Sequence, residues 1–324
     1  MQAIDRRLCI APMMTHTDRH FRYLLRLISR RVMLYTEMIT TGSLIHGRQY
    51  ARLEFDASEH PLAVQLGGSD PRDLARCAAI AEERGYDEIN LNIGCPSNRV
   101  SSGEFGACLM AHPERVAECV QAIGGRTRLP VTVKTRIGID DRDSYEHLRN
   151  FIETVSAAGC RTFIIHARKA WLAGLSPRQN RELPPLNYAM VYRLKADFPE
   201  LEIIINGGVT SLAAAAEQLI RVDGAMIGRA VCSNPYLLSD ADRRLFGDET
   251  PVLSRQEVLE EYIRYAESQL RRGVALQHMS RHLLGLFQGQ AGARAWRRRL
   301  SEKARDNNHG VRLLIDASEL IRAA

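Results

Sequence analysis

Residues 202–230 read EIIINGGVTSLAAAAEQLIRVDGAMIGRA, two β-rich runs on either side of a helical segment. Each run ends in glycine, and Ser211 stands where a helix cap is expected. The pattern extends upstream through LCIAPMM, VMLYTEM, PLAVQLG, EINLNIGC, VTVKTRIG and TFIIHAR. DPRDLARCAAIAEERG follows the third of these, opening on Asp-Pro and closing at Gly85. HPERVAECVQAIGG follows the fourth, again from proline to glycine. Eight such strands alternating with helices over about 240 residues predict an α/β fold, a (β/α)8 TIM barrel. A doubly wound sheet is the alternative. It is disfavoured because no G-x-G-x-x-G follows any strand and the units are evenly spaced.

The chain of 324 residues is long enough for one large domain and a smaller one. The expected division is a barrel over 1–248 and a small all-helical domain over 249–324. Hydrophobic residues at 45% and charged residues at 25% are globular values that exclude disordered and fibrous classes. The N-terminus has no apolar stretch suited to a signal peptide, and no run approaches the roughly 18 apolar residues of a membrane span. Seven cysteines without a C-x-x-C pair argue against a disulfide framework and a cysteine zinc site. A reduced, cytoplasmic protein is expected. From Arg255 onward 13 Lys and Arg face 8 Asp and Glu, most of the +6 formal charge. The densest part is ARAWRRRLSEKAR, residues 293–305, which suits a solvated helix face or a phosphate-backbone contact equally well.

Barrel chemistry sits at the C-terminal ends of strands. Those ends carry Pro12, Met13 and Met14, then Gln65, Asn92 and Cys95, Lys134 and Arg136, His166 and Arg168, Asn206 with Gly207 and Gly208, and Gly228 with Arg229. This set is too polar for packing alone. In VTVKTRIG, Lys134 shares parity with Thr132 and Arg136, opposite Val131 and Val133, so it needs an anionic partner. His166 alone reads as a core histidine; beside Lys134 and Gln65 it reads as part of a site. NGGVTS and GRAV offer small residues and backbone N–H groups before helices, a phosphate-binding pattern that competes with ordinary tight turns. The phosphate belongs to a substrate or to a flavin mononucleotide. An amide at Gln65 and a cation at Lys134 suit the flavin's pyrimidine edge.

Taken together, APMMTHTDRHFR, LNIGCPSNRVSSGEFGACLM, KTRIG, INGGV, MIGRA and GLFQGQAGARAWRRRLSEKA resemble the tRNA-dihydrouridine synthases, in their DusA-type branch. The resemblance spans about residues 8–307. It implies reduction of the C5–C6 double bond of uridine in the D-loop of tRNA, at positions 20 and 20a, with FMN as cofactor and NADPH as co-substrate. It places Pro12, Met13, Met14, Gln65, Lys134, His166, Asn206, Gly207, Gly208, Gly228 and Arg229 on the flavin. Cys95 becomes the general acid that protonates C5 as hydride adds at C6, a role for the thiol rather than the thiolate. That role suggests an ordinary or raised pKa, with no Lys or Arg directly against the sulfur. Cys108 is assigned to packing. Asn92 would hydrogen-bond the uracil, Arg178 and Arg181 would touch tRNA, and Arg294 and Arg297, i and i+3 on one helix face, mark the branch and bind tRNA.

Downstream, VLEEYIRYAESQL carries an amphipathic stripe at Val258, Leu259, Tyr262, Ile263, Ala266 and Leu270. His278 and His282 stand at i and i+4 but lack the glutamate of H-E-x-x-H and a third ligand, so no metal is expected. A target uracil must be flipped out of the folded RNA, and phosphate contacts from the basic helix would offset that cost. No protein partner is implied, and a monomer is expected. The rival readings are an FMN barrel acting on a small molecule, in the manner of a dihydroorotate dehydrogenase, and a tRNA-binding or chaperone-like protein. The first leaves the basic helical segment without purpose.

Overall fold

The computed structural model describes residues 4–97, 105–304 and 310–322. Residues 98–104, inside the cysteine-bearing loop, and Arg305 of the basic run lie outside the described residues. The eight runs read from the sequence are all strands: β1 (Leu8–Ile10), β2 (Leu34–Thr40), β3 (Leu62–Gly67), β4 (Glu88–Asn92), β5 (Val131–Arg136), β6 (Thr162–His166), β7 (Glu202–Asn206) and β8 (Gly224–Ile227). They pair in parallel in the order β1-β8-β7-β6-β5-β4-β3-β2. The ring closes where the Met33 N–H donates to the Leu8 carbonyl at 3.0 Å and the Ile10 N–H to the Met33 carbonyl at 2.9 Å. A closed ring removes both sheet edges, which rules out the doubly wound alternative. The helices Pro71–Glu83, Pro113–Gly124 and Leu212–Leu219 form as their caps predict. Asp70 and Ser211 accept the N–H groups of Asp73 and Ala214.

Strand alternation sorts the residues into two environments. Outward-facing Val64, Leu66, Ile89, Leu91, Val133, Phe163, Ile165, Ile203 and Ile205 are fully or almost fully buried beneath the surrounding helices. The barrel's middle is filled by Cys9, Met33, Tyr35, Ala63, Ile164, Ile204 and Met226. Below that plug, Arg6 forms a buried ion pair with Glu88 at 2.7 Å and a partly buried one with Glu202 at 2.9 Å. Such pairs fix geometry more than they add stability.

After β8 the chain is helical: Arg229–Ser233, Ala241–Phe246, Arg255–Arg271, Leu276–Ser280, Ala293–Lys303 and Arg312–Arg322. The amphipathic stripe of Arg255–Arg271 is buried at Val258, Leu259, Tyr262 and Ala266, with Tyr265 added. Its aromatic face lies on the first barrel helix, Arg19–Ile28: Tyr23 and Tyr265 stack with centroids 3.9 Å apart, and the Tyr262 hydroxyl donates to the His20 carbonyl. Trp296, fully buried, donates its indole N–H to the Leu283 carbonyl and meets Phe287 edge-on. Gly285 sits where a Cβ would stand 2.2 Å from the Ser233 carbonyl oxygen, so only glycine allows the two backbones to approach. Among the described residues no helix is long and apolar enough to cross a membrane.

Candidate active site

The residues read from the strand ends gather at one mouth of the barrel. Asn206 ends β7 and Lys134 lies near the end of β5. The Asn206 amide donates to the Met226 carbonyl at 2.9 Å, which turns its oxygen toward the Lys134 ammonium at 3.2 Å. Among the described residues Lys134 pairs with no carboxylate. Burial, aided by nearby Arg136, pulls its pKa down to about 7. His166 ends β6 with its Nδ1 atom buried and, among the described residues, without a partner. Burial first, then the surrounding cations, holds the ring well below its ordinary value and therefore neutral. An orphaned ring nitrogen beside an uncompensated cation suits an electron-rich polar group, which would satisfy both.

Gly207 and Gly208 have φ of 103° and 74°, left-handed conformations that favour glycine. A Cβ on Gly207 would stand 2.9 Å from the His166 ring, so the turn lies directly against that side chain. Gly228 is the residue before helix Arg229–Ser233, beside Ala11 and the Met13 sulfur. Pro12 and Met13 are half-buried and Met14 is exposed on the same rim. Arg229 is paired with Glu182 at 2.6 Å, and Glu182 also lies 3.6 Å from Arg178. Arg178 and Arg181 are exposed around the mouth. Sequence reading missed Glu182 as the counter-ion shared by these arginines.

Cys95 is half-buried just past β4, and its thiol faces the Ser97 hydroxyl at 3.6 Å. The backbone around it is held on every side. The Asn92 side-chain oxygen accepts the N–H groups of Gly94 and Cys95 at 3.1 and 3.0 Å. Arg136 donates to the Gly94 carbonyl at 2.9 Å, and the Ala107 N–H to the Cys95 carbonyl at 3.0 Å. Arg136 is anchored in turn on the carbonyls of Lys169 and Asn180. Arg136 therefore pins the loop, a role its place at a strand end did not disclose.

One expectation narrows. The Asn92 oxygen is committed to the loop, and its amide nitrogen donates to Gln65 Oε1 at 2.8 Å, so a substrate meets at most one remaining N–H. Lys134, Arg136 and Arg181 lie within electrostatic reach of Cys95, but among the described residues none of them bonds to its sulfur. Cys108 donates to the Phe105 carbonyl at 3.1 Å. His282, stacked on Phe21, bonds to Asp18, the cap of helix Arg19–Ile28, while His278 is exposed. Among the described residues no three His, Cys, Asp or Glu side chains gather as a metal site requires. Arg294 and Arg297 share helix Ala293–Lys303; Arg294 is exposed, and Arg297 donates to Gln288 at 2.9 Å.

Comparison with solved structures matches the barrel of a 2-naphthoyl-CoA reductase in complex with 2-naphthoyl-CoA, at a TM-score of 0.57 and 11% identity over 72% of this chain and 49% of that one. At that identity the likeness is one of fold alone. Sequence relatives are far nearer. A tRNA-dihydrouridine(20/20a) synthase of Shewanella oneidensis is 58% identical over 312 residues, covering 96% of this chain and 92% of its own. Enzymes of the same name from Vibrio cholerae and Salmonella typhimurium are each 56% identical, the matches covering 96% and 97% of this chain and 95% of each relative. The dihydrouridine synthase (Dus) family model matches residues 9–322, which takes in β1, the cysteine loop, the cationic mouth and the C-terminal helices. The chain is a member of the dihydrouridine synthase family.

Proposed function

We propose that this chain reduces uridine to 5,6-dihydrouridine in the D-loop of tRNA, at positions 20 and 20a, with FMN as the bound cofactor and NADPH as the reductant. The observation that carries this reading is Gly94 and Cys95, hydrogen-bonded to Asn92 and Arg136 at the mouth that also holds Lys134, Asn206 and the His166 ring. FMN fits the residues present: Lys134, His166, Asn206 and Gln65 would hold its ring edge, Gly207, Gly208, Gly228 and Arg229 its phosphate end, and Pro12, Met13 and Met14 the rim beside it. When bound, the flavin supplies the hydride for uracil C6.

This chain's residues do the rest. The Cys95 thiol gives its proton to C5, which gains electron density because the double bond is conjugated to the C4 carbonyl. The pinned backbone holds that sulfur in place, so little ordering remains to be lost when substrate arrives. The remaining Asn92 N–H can only donate, which suits a carbonyl oxygen on the uracil edge. Arg178, Arg181, Arg294 and Arg297 contact the RNA, with residues 249–324 acting as the tRNA-binding unit. The observation favouring RNA over a small substrate is the basic helix Ala293–Lys303, whose exposed Arg294, Arg298 and Arg299 pair with no carboxylate among the described residues.

Two measurements test this. The purified protein should show the visible absorption bands of oxidised flavin, and tRNA from cells lacking it should lose dihydrouridine at positions 20 and 20a. A protein that stays colourless after incubation with FMN overturns the proposal, as does unchanged dihydrouridine in that tRNA.

A further inference from the structure

The inward side of β4 is polar at every second residue, Glu88, Asn90 and Asn92, and all three are buried. They join a single file of hydrogen bonds running up the inside of the barrel. The Thr132 hydroxyl donates to Glu88 Oε1 at 2.6 Å, and the Asn90 amide donates to that hydroxyl at 2.8 Å. The Gln65 amide donates to Asn90 Oδ1, and the Asn92 amide to Gln65 Oε1, each at 2.8 Å. The Asn92 oxygen then receives the two N–H groups of the cysteine loop. From Glu88 to Asn92 the file climbs about 13 Å at 3.3 Å per residue.

The file has one polarity. A carboxylate accepts and never donates, so Thr132 must donate to Glu88 and every amide above it is oriented in turn. At the top, backbone N–H groups only donate, which demands that Asn92 present its oxygen. Both ends impose the same sense, so flipping any one amide sets two acceptors or two donors face to face. The other carboxylate oxygen of Glu88 is held by Arg6 at 2.7 Å, which keeps it turned into the file.

We infer that Glu88, at the end of the barrel remote from the site, sets the polarity of the Asn92 amide and so positions the loop that carries Cys95. Glu88, Thr132 and Asn90 are positioning residues acting through Asn92. The effect on turnover rests on the proposed role of Cys95; the effect on the loop does not.

Glu88→Gln is the informative change. Its oxygen must serve Arg6, which leaves its NH2 facing Thr132 and drives the file toward the reverse sense, against the two backbone N–H groups. Thr132→Val is isosteric and cuts the file; Thr132→Ser keeps the hydroxyl. The readouts are the rate of Cys95 alkylation by iodoacetamide, followed by peptide mass spectrometry, the kcat and KM for tRNA, flavin content and thermal unfolding. Glu88→Gln and Thr132→Val should each speed alkylation and lower kcat by about tenfold, the size expected for one misplaced buried hydrogen bond; flavin content is recorded alongside because the file runs through Gln65. Thr132→Ser should behave as wild type. The Glu88→Gln/Thr132→Val double variant should be no worse than Thr132→Val, because the message has nowhere to travel. Wild-type alkylation in Thr132→Val, or strictly additive effects in the double variant, would overturn the inference. If Cys95→Ala still made dihydrouridine, the role of the thiol would fail, and the alkylation rates would continue to judge the file by themselves.

Discussion

Lys134 offers a prediction whose sign is counter to intuition: replacing it should make the flavin-free protein more stable. An ammonium whose pKa falls from 10.5 to about 7 on folding opposes the fold by about 5 kcal/mol at low pH, at 1.36 kcal/mol per tenfold change. Lys134 opens on the barrel mouth, where it is only half-buried, and water there screens part of that penalty, leaving about 2–3 kcal/mol. The folded-state pKa lies below the unfolded one, so the unfolded chain binds more protons between about pH 7 and 10.5. The penalty is therefore fully present below pH 7 and fades as pH rises through that window. Lys134→Met keeps the length and removes the charge. Urea denaturation followed by circular dichroism should show the variant about 2–3 kcal/mol more stable than wild type near pH 6.5, with the gap closing toward pH 10. The same variant should bind FMN poorly. A variant equally or less stable at pH 6.5, or a gap that ignores pH, would refute the reasoning.

Other outcomes follow from the same geometry. Cys95→Ala should retain bound flavin and NADPH oxidation while dihydrouridine formation falls at least about a hundredfold, the usual yield of a placed general acid; nucleoside mass spectrometry of treated tRNA decides it. Arg294→Ala should weaken tRNA binding and reduce the slope of log K against log salt by about 1, with flavin content unchanged. Glu182→Gln should release Arg229 and Arg178 from their shared carboxylate and tighten FMN binding by no more than about fivefold, since exposed pairs are worth under about 1 kcal/mol; fluorescence titration of FMN measures it. Gly285→Ala should lower stability by about 1–3 kcal/mol through the clash with Ser233, visible as a drop in melting temperature together with loss of tRNA affinity.

The eight strands and five of the helices could be read from sequence because alternation, amphipathic spacing, caps and glycine stops agree locally along those segments. The candidate site was legible as a set of strand ends, and Cys95, Lys134, His166 and Asn206 do converge. What one side chain does with its two polar ends was not legible. That Asn92 also holds the N–H groups of Gly94 and Cys95 was not visible, because a lone sequence cannot show that these turn back on it. Arg136 was visible only as another cation until the fold brought Gly94 beneath it. The file beneath Cys95 did leave a trace in E-I-N-L-N, where polar residues take the inward parity of a strand whose other side is apolar. The Glu182–Arg229 pair and the stacking of Tyr23 on Tyr265 join residues far apart in the chain, and no local pattern encodes them.

The docking of Tyr265, Tyr262 and His282 on helix Arg19–Ile28 bears on the order of synthesis. The helices from Arg255 onward leave the ribosome after every strand of the barrel has emerged, yet they cover a patch on the first helix to be made. Until they arrive, Phe21 and Tyr23 face water or a chaperone, and Asp18 lacks its histidine. A nascent chain halted after β8 would thus carry an uncovered aromatic flank on that helix.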